Sequence, residues 1–364
     1  MTTIDITLGH LRQHAVARSL FPSSSIQDAL DRLGFVQADP IRAPARAQDL
    51  TLRHRVPGYR AGDLERQYHA LAVEEDFFVT YGFLPRPVQA LMHPRKVRFP
   101  WPPGGPRRAE RVLAFVLERG TVHPREVDQH FAHGTVRNYW GGSSSATTHL
   151  MEAMHYRGML RVVRREKGIR IYAVRQPDGS AVDREARRRL DALVDVAVGK
   201  YAPLPAASLS NLISRLRYAV PQWQGQLRDA LKRAKERLAH TRVDGTDWYW
   251  PASENPRDVG TEAQVRFLAP FDPVVWDRRR FELLWGWEYR FEAYTPARKR
   301  KLGYYALPLL WRDRVVGWAN VTLDAGRVVA DVGHVSGRPP RDPSFRRELD
   351  AEIERLQAFL SVNG

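Results

Sequence analysis

The sequence contains no cysteine. That excludes disulfides, cysteine-ligated zinc, iron–sulfur clusters and thiol catalysis, and it fits a reducing cytoplasm. Long apolar runs are missing too: no stretch approaches the roughly 18–20 uncharged apolar residues a membrane span requires. The opening Met1-Thr2-Thr3-Ile4-Asp5 lacks a basic stretch followed by an apolar one, so no secretory signal is expected. There is no Walker loop, Rossmann fingerprint or Gly-x-Ser-x-Gly elbow in a strand-to-helix context. The 12 histidines are scattered. The pair His130 and His133 lacks an acidic partner at ligand-like spacing and reads as a surface or capping pair, so neither metal nor cofactor is expected. Lysine is scarce, supplying only 7 of the 57 basic residues.

What is present is arginine and net positive charge. The 57 basic residues outnumber 41 acidic ones, leaving +16 on 364 residues. A GC-rich genome accounts for arginine over lysine but not for the excess charge. A folded chain this basic faces a polyanion, and nucleic acid is the first candidate. With 43% hydrophobic residues, this length supports two or three domains.

The patterning predicts an α+β protein of tandem winged-helix units, a β-rich, barrel-like C-terminal part and a final helix. In a first unit, 1–98, helices are expected from Leu8 to Leu20 and from Ile26 to Leu33, the second capped by Ser23-Ser24-Ser25 and closed by Gly34. An extended stretch, Phe35 to Pro40, and a third helix from Ala43 to Arg55 follow. The Pro/Gly-rich run Phe99 to Pro106 is the clearest linker. In 107–176, helices end at Gly120, Phe131 and Gly158, before strands Leu160–Arg164 and Ile169–Val174 around a Gly-containing turn. Three helices and a hairpin are the winged-helix order, with Arg164, Arg165 and Lys167 on the wing to track phosphates. A third unit, 183–255, repeats the order less sharply. Beyond 263 the chain reads as strands, with Tyr289 to Tyr294 alternating, before a helix over Pro343 to Leu360.

Gln37-Ala38-Asp39 is the candidate chemistry. Residues two apart in an extended stretch share a face, so an amide and a carboxylate would stand side by side, able to orient a water and take its proton. The same residues also read as an Asx turn before Pro40 with a merely polar Gln37. Trp276, Trp285, Trp287, Tyr289 and Tyr294, followed by Arg298-Lys299-Arg300-Lys301, could stack bases and hold phosphates, or fill a sheet core beside a solvated loop.

The run Leu268-Ala269-Pro270-Phe271-Asp272-Pro273-Val274-Val275-Trp276-Asp277-Arg278-Arg279-Arg280, with Tyr289 to Arg300 and Gly303 to Leu310, resembles the winged-helix DNA glycosylases of the AlkZ and YcaQ type. Gln37-Ala38-Asp39-Pro40-Ile41 resembles that family's Gln-x-Gln or Gln-x-Asp motif in its Asp form. Weaker likeness runs through Asn138-Tyr139-Trp140-Gly141 and the hairpin near Tyr172. Two places depart from the pattern: Val79-Thr80 stands where a His-Glu pair is usual, and Gly317-Trp318-Ala319-Asn320 where Gly-Arg-x-Asp is usual. The resemblance implies a monofunctional glycosylase excising alkylated purines, including interstrand crosslinks, with Gln37 and Asp39 catalytic. It would act as a monomer on damaged double-stranded DNA, in the cytoplasm with the nucleoid, through Arg42, Arg46, Arg164, Arg165, Lys167, Arg298 and Arg300. A Schiff-base lyase is disfavoured, the first lysine being Lys96. The rivals are a winged-helix transcription regulator without chemistry and an RNA-handling protein.

Overall fold

The computed structural model describes residues 5–97, 101, 104–137, 142–176, 185–257 and 259–361. The linker positions 98–100 and 102–103, the residues 138–141 and the start of the helix expected from Arg184 lie outside them. Two compact units emerge: Met1–Leu64, Val194–Ile213 and Leu231–Gly364 form one, and Glu65–Leu193 with Ser214–Ala230 the other.

In the first unit, helix Leu8–Ser19 begins where Thr7 accepts the His10 amide and His10 Nδ1 accepts the Thr7 amide. Helix Ile26–Leu33 is capped by Ser25, which accepts the Asp28 amide at 3.1 Å, and ends at Gly34 with φ +64°. A Cβ at Gly34 would fall 2.6 Å from Val196 Cγ1, so both the left-handed turn and the close packing require glycine. The extended stretch shrinks to strand Val36–Gln37. The third helix is Ala47–Leu52, shorter than the Ala43–Arg55 expected, because Pro44 drives the residue before it out of helical geometry and donates no amide.

The C-terminal part is a four-stranded antiparallel half-barrel in the order Val265–Phe267, Leu307–Trp311, Arg314–Asp324, Arg327–His334. Helix Pro343–Leu360 lies on its first strand, where Glu352 accepts the Phe267 amide at 2.9 Å. Two expectations fail here. Tyr289 to Tyr294 is a loop rather than a strand, because the Glu292 carboxylate collects the amides of Lys301, Leu302 and Gly303 and folds the chain back on itself. The stretch after 263 also holds a helix, Arg278–Trp285, capped by Asp277 and closed by Gly286 at φ +69°.

Two fully buried charges fix the segment before that helix. The Asp272 carboxylate binds Arg55 through Nη1 at 2.8 Å and Nη2 at 3.2 Å, and accepts the Val274 amide at 3.0 Å. Arg280 donates to the carbonyls of Ala202, Pro203, Pro273 and Val274 at 2.8–3.3 Å. Around them Val16, Leu20, Leu268, Val275, Phe281, Tyr289 and Leu310 form one apolar core, with Trp285 and Trp287 packed against it.

The second unit contains a hairpin the sequence reading missed, Val73–Phe77 with Tyr81–Pro85. Alternation is hidden there because Glu74, Glu75 and Asp76 are all buried. Helices Gly105–Arg119, Pro124–Phe131 and Ala146–Tyr156 then accompany strands Thr121–Val122, Leu160–Glu166 and Ile169–Val174, with the last strand in the middle of the sheet. The turn between the last two is Lys167-Gly168, with φ of +49° and +86°. The strand pair Thr135–Arg137 and Ser143–Ser145 separates the second and third of these helices. The stretch 186–250, most of which belongs to the first unit, has the order of helix, short strand, two helices and hairpin without that pair. Its strands Leu204–Pro205, Ala239–Val243 and Thr246–Trp250 again place the last in the middle.

Removing one partner of a buried ion pair strands the other, at a cost of about 3–5 kcal/mol. Asp272→Ala should therefore lose about that much stability in urea unfolding followed by tryptophan fluorescence, while Asp324→Ala on an exposed turn should stay within about 0.5 kcal/mol of wild type. A loss below about 1 kcal/mol for Asp272→Ala would show that Asp272 does not hold the 269–277 segment.

Candidate active site

Gln37 ends its strand half-buried, and its Oε1 accepts the indole N–H of Trp276 at 3.0 Å. Because indole is a donor only, the contact fixes the oxygen end of the amide on Trp276 and turns the nitrogen end the other way. Two residues on, the chain has left the strand. Asp39 Oδ1 accepts the Ile41 amide at 2.8 Å, an Asx turn, while the Asp39 amide is held by Gln48 Oε1 at 3.3 Å. The amide and carboxylate are thus placed by a turn and a long-range tryptophan contact, and a two-residue strand alternation is not what aligns them.

The turn uses one carboxylate oxygen only. Among the described residues Asp39 Oδ2 accepts no hydrogen bond, and no cation pairs with the carboxylate, although the residue keeps only 9% of its exposure. Burial raises its carboxyl above the ordinary aspartate range, and the Ile41 amide offsets this only in part. A buried carboxylate left without a cation in a chain carrying +16 is an unusual arrangement, and one that keeps an oxygen basic and available.

Aromatic and basic side chains surround this couple. Trp276 stacks on Tyr201 with centroids 4.7 Å apart, and the neighbouring Lys200, wholly buried, donates Nζ to the Phe35 carbonyl. Tyr294 and Tyr305 both feel the Asp39 charge, which together with their burial pushes the two phenols up. Tyr294 is 72% exposed and Tyr305 only 3%, so one of the two phenols is at the surface and the other is buried. Arg300 donates to the Thr295 carbonyl at 2.8 Å and lies over the Tyr304 ring, 4.9 Å from its centroid.

The remaining basic candidates are distributed as follows. Arg298 is exposed on the same loop as Arg300; Arg42 is exposed and Arg46 half-buried, both following Asp39 in the chain. Arg164, Arg165 and Lys167 belong to the second unit. Arg164 pairs with Glu166 at 2.7 Å, Arg165 grips Glu75 at 2.8 and 2.6 Å, and Lys167 is exposed at the turn. Of the aromatic series, Tyr289 is a core residue with Trp285 and Trp287 packed against that core, Trp276 bonds Gln37, and the exposed Tyr294 feels the Asp39 charge. Sequence reasoning did not single out Gln48, Lys200, Tyr201 or Tyr305. Among the described residues no three His, Cys, Asp or Glu side chains gather as a metal site would, and no helix is long and apolar enough to cross a membrane. A cleft of about 430 Å³ lined by Arg53, Tyr59, Arg266, Arg355 and Phe359 includes neither Gln37 nor Asp39.

A family model described as DNA glycosylase AlkZ-like matches residues 30–359. Among solved structures, the Streptomyces sahachiroi DNA glycosylase AlkZ is similar with a TM-score of 0.64 at 14% sequence identity, over 99% of this chain and 100% of that one. At that identity the likeness speaks for the fold.

Burial lowers the Lys200 ammonium to about 7, with Arg55 adding to the effect and Asp272 opposing it. The folded protein therefore binds this proton less tightly than the unfolded chain, a penalty present in full below pH 7 and gone once the pH passes the free-lysine value of about 10.4. Lys200→Met should gain on wild type at pH 6 and lose that relative advantage by pH 10. Melting temperatures at the two values check this; a difference independent of pH would mean Lys200 stays charged throughout.

Proposed function

The chain belongs to the AlkZ-like DNA glycosylase family, a repair class acting on DNA, and on that premise we propose that it excises N-alkylated purines, interstrand crosslinks among them, by hydrolysis at the Asp39 carboxylate. The observation that carries this reading is the buried Asp39, with one oxygen held by a turn and the other left without a partner, beside an amide fixed by Trp276.

The chemistry follows from those groups. Water attacks C1′ and the C1′–N bond breaks, its electron pair leaving with the base; one water proton passes to Asp39, and its negative charge favours the oxocarbenium-like sugar on the way. Gln37 positions the reacting groups from a fixed amide orientation. The leaving group decides the substrate class. Tyr294 and Tyr305, the phenols that feel the Asp39 charge, are both pushed up and are poor proton donors. A purine alkylated on N7 or N3 is already cationic and departs without protonation, so a site built on one carboxylate suits it. We assign no lysine a covalent role: Lys200 is buried against Phe35, and the reaction ends with an intact strand carrying an abasic site.

Three helices, a short strand after the first and a closing hairpin, common to 105–174 and 186–250 apart from the extra strand pair of the former, support reading these stretches as winged helices that engage duplex DNA. We take the exposed Arg42 and Arg298, with Arg300, as the residues that hold phosphates near Asp39. A regulator without chemistry would have no use for an unpaired buried carboxylate.

Wild type incubated with a duplex carrying a single 7-methylguanine, or with a nitrogen-mustard crosslink, should yield strand breaks only after heating in alkali. Asp39→Asn should lower the single-turnover rate by about 100-fold or more, and Gln37→Ala by about 10-fold or more, with duplex binding kept within about 3-fold. The rate should fall as pH drops through the raised Asp39 carboxyl, along an acid limb lying above an ordinary aspartate and missing from Asp39→Asn. Wild-type rates in both variants would overturn the site.

A further inference from the structure

The hydroxyl of Tyr305 is a buried polar group to which the mechanism so far gives no task. Tyr305 keeps 3% of its exposure, and its ring stands edge-on to Phe291, with centroids 5.2 Å apart at 87°. A buried phenol normally finds a partner, because an unmade hydrogen bond costs about 1–3 kcal/mol. Tyr289 obeys the rule and donates to the Ala306 carbonyl at 2.7 Å. Tyr305 does not: among the described residues its hydroxyl has no hydrogen-bond partner.

Asp39 has the matching deficit. Its Oδ1 is occupied by Ile41 and its Oδ2 by nothing described. Burial and the Asp39 carboxylate together push the Tyr305 phenol up, so the two groups lie within electrostatic reach of each other. Two oxygens without a described partner and within electrostatic reach of one another, one a donor and one an acceptor, can share a water, which takes 2–4 such bonds when buried.

We propose that the Tyr305 hydroxyl and Asp39 Oδ2 hold between them the water that attacks C1′, making Tyr305 a third catalytic residue. This rests on the reading of Asp39 given above. The phenol donates its O–H to one lone pair of the water, and the other lone pair bonds to C1′. One water proton passes to Asp39 Oδ2, the second stays on the new sugar hydroxyl, and the C1′–N electron pair leaves with the base. The phenol keeps its own proton throughout, which suits a hydroxyl that burial and a neighbouring carboxylate hold in its neutral form.

Tyr305→Phe removes the oxygen and keeps the ring against Phe291. Single-turnover excision from the 7-methylguanine duplex should slow by about 10- to 100-fold, with the half-saturating protein concentration within about 2-fold of wild type. Placing p-aminophenylalanine at 305, which restores a donor, should recover at least a third of the lost rate. A wild-type rate in Tyr305→Phe while Asp39→Asn stays inert would overturn the Tyr305 assignment and leave Asp39 standing; wild-type rates in both would remove the Asp39 reading and this one with it. If Tyr305→Phe is slow only because it melts early, the p-aminophenylalanine protein decides: full stability without recovered rate rejects the proposal.

Discussion

The buried contact between Asp272 and Arg55 is the constraint on which the first unit depends. Neither side chain reaches solvent, and a carboxylate–guanidinium pair survives there only because its geometry is two-pronged and its remaining acceptor capacity is used by the Val274 amide. Arg280 completes the frame from the other side, holding carbonyls from two separate stretches, 202–203 and 273–274. Between Asp272 and the Asp277 cap the chain has little freedom left, and Trp276 lies in that interval. Its indole N–H therefore arrives at Gln37, 239 positions away in sequence, at a defined angle. The motif at 37–41 and the block at 268–280 are in this sense one piece of structure.

The net charge of +16 is distributed unevenly. On the hairpin that carries the candidate wing, Arg161 binds Glu74, Arg165 binds Glu75, and Arg170 reaches Glu152 and Glu75. Glu74 and Glu75 lie on the buried strand Val73–Phe77, whose Asp76 is held by Arg95 and His93; burial alone would raise that carboxyl, and the Arg95 guanidinium with the His93 contact outweighs it. Positive charge on a hairpin is thus a poor measure of charge offered to a ligand. In the first unit the balance differs: Arg42 and Arg298 are exposed, and Arg300 donates to a carbonyl and lies over a tyrosine ring, with its charge felt by Glu292.

Much of the helical order was legible because its signals are local. Ser25 before Ile26, Gly34 after Leu33 and the Lys167-Gly168 turn act within a few residues, and each sits where composition and spacing put it. The failures have long-range causes. Glu292 converts an alternating run into a loop by collecting amides 9 to 11 residues away, and the acidic strand at 73–77 hides its burial because its partners lie on a hairpin some 90 residues on. At the site, Gln37 and Asp39 stood out by residue type, yet their alignment comes from Ile41, Gln48 and Trp276. Nothing in spacing separates an Asx turn from a reactive carboxylate, and here Asp39 makes the turn with one oxygen while the other stays free of it.

That division of one side chain between two tasks explains why the site occurs where it does. Folds satisfy buried polar groups almost everywhere, so unsatisfied ones carry information. In the second unit Asp76 accepts from a histidine, a glutamine and an arginine, and Glu75 from Arg165 and Tyr81. In the first unit, among the described residues, Asp39 lacks a cation, the Tyr305 hydroxyl lacks a partner, and Lys200 is buried with the Phe35 carbonyl as its hydrogen-bond acceptor. Lys200 meets the Phe35 carbonyl four residues before Asp39, and the Asp39 charge reaches Tyr305. Each departure costs stability, and the rigid frame built on Asp272 and Arg280 is what allows them to persist together. A charge that the protein itself leaves unmatched is the one a developing cation on a sugar can use.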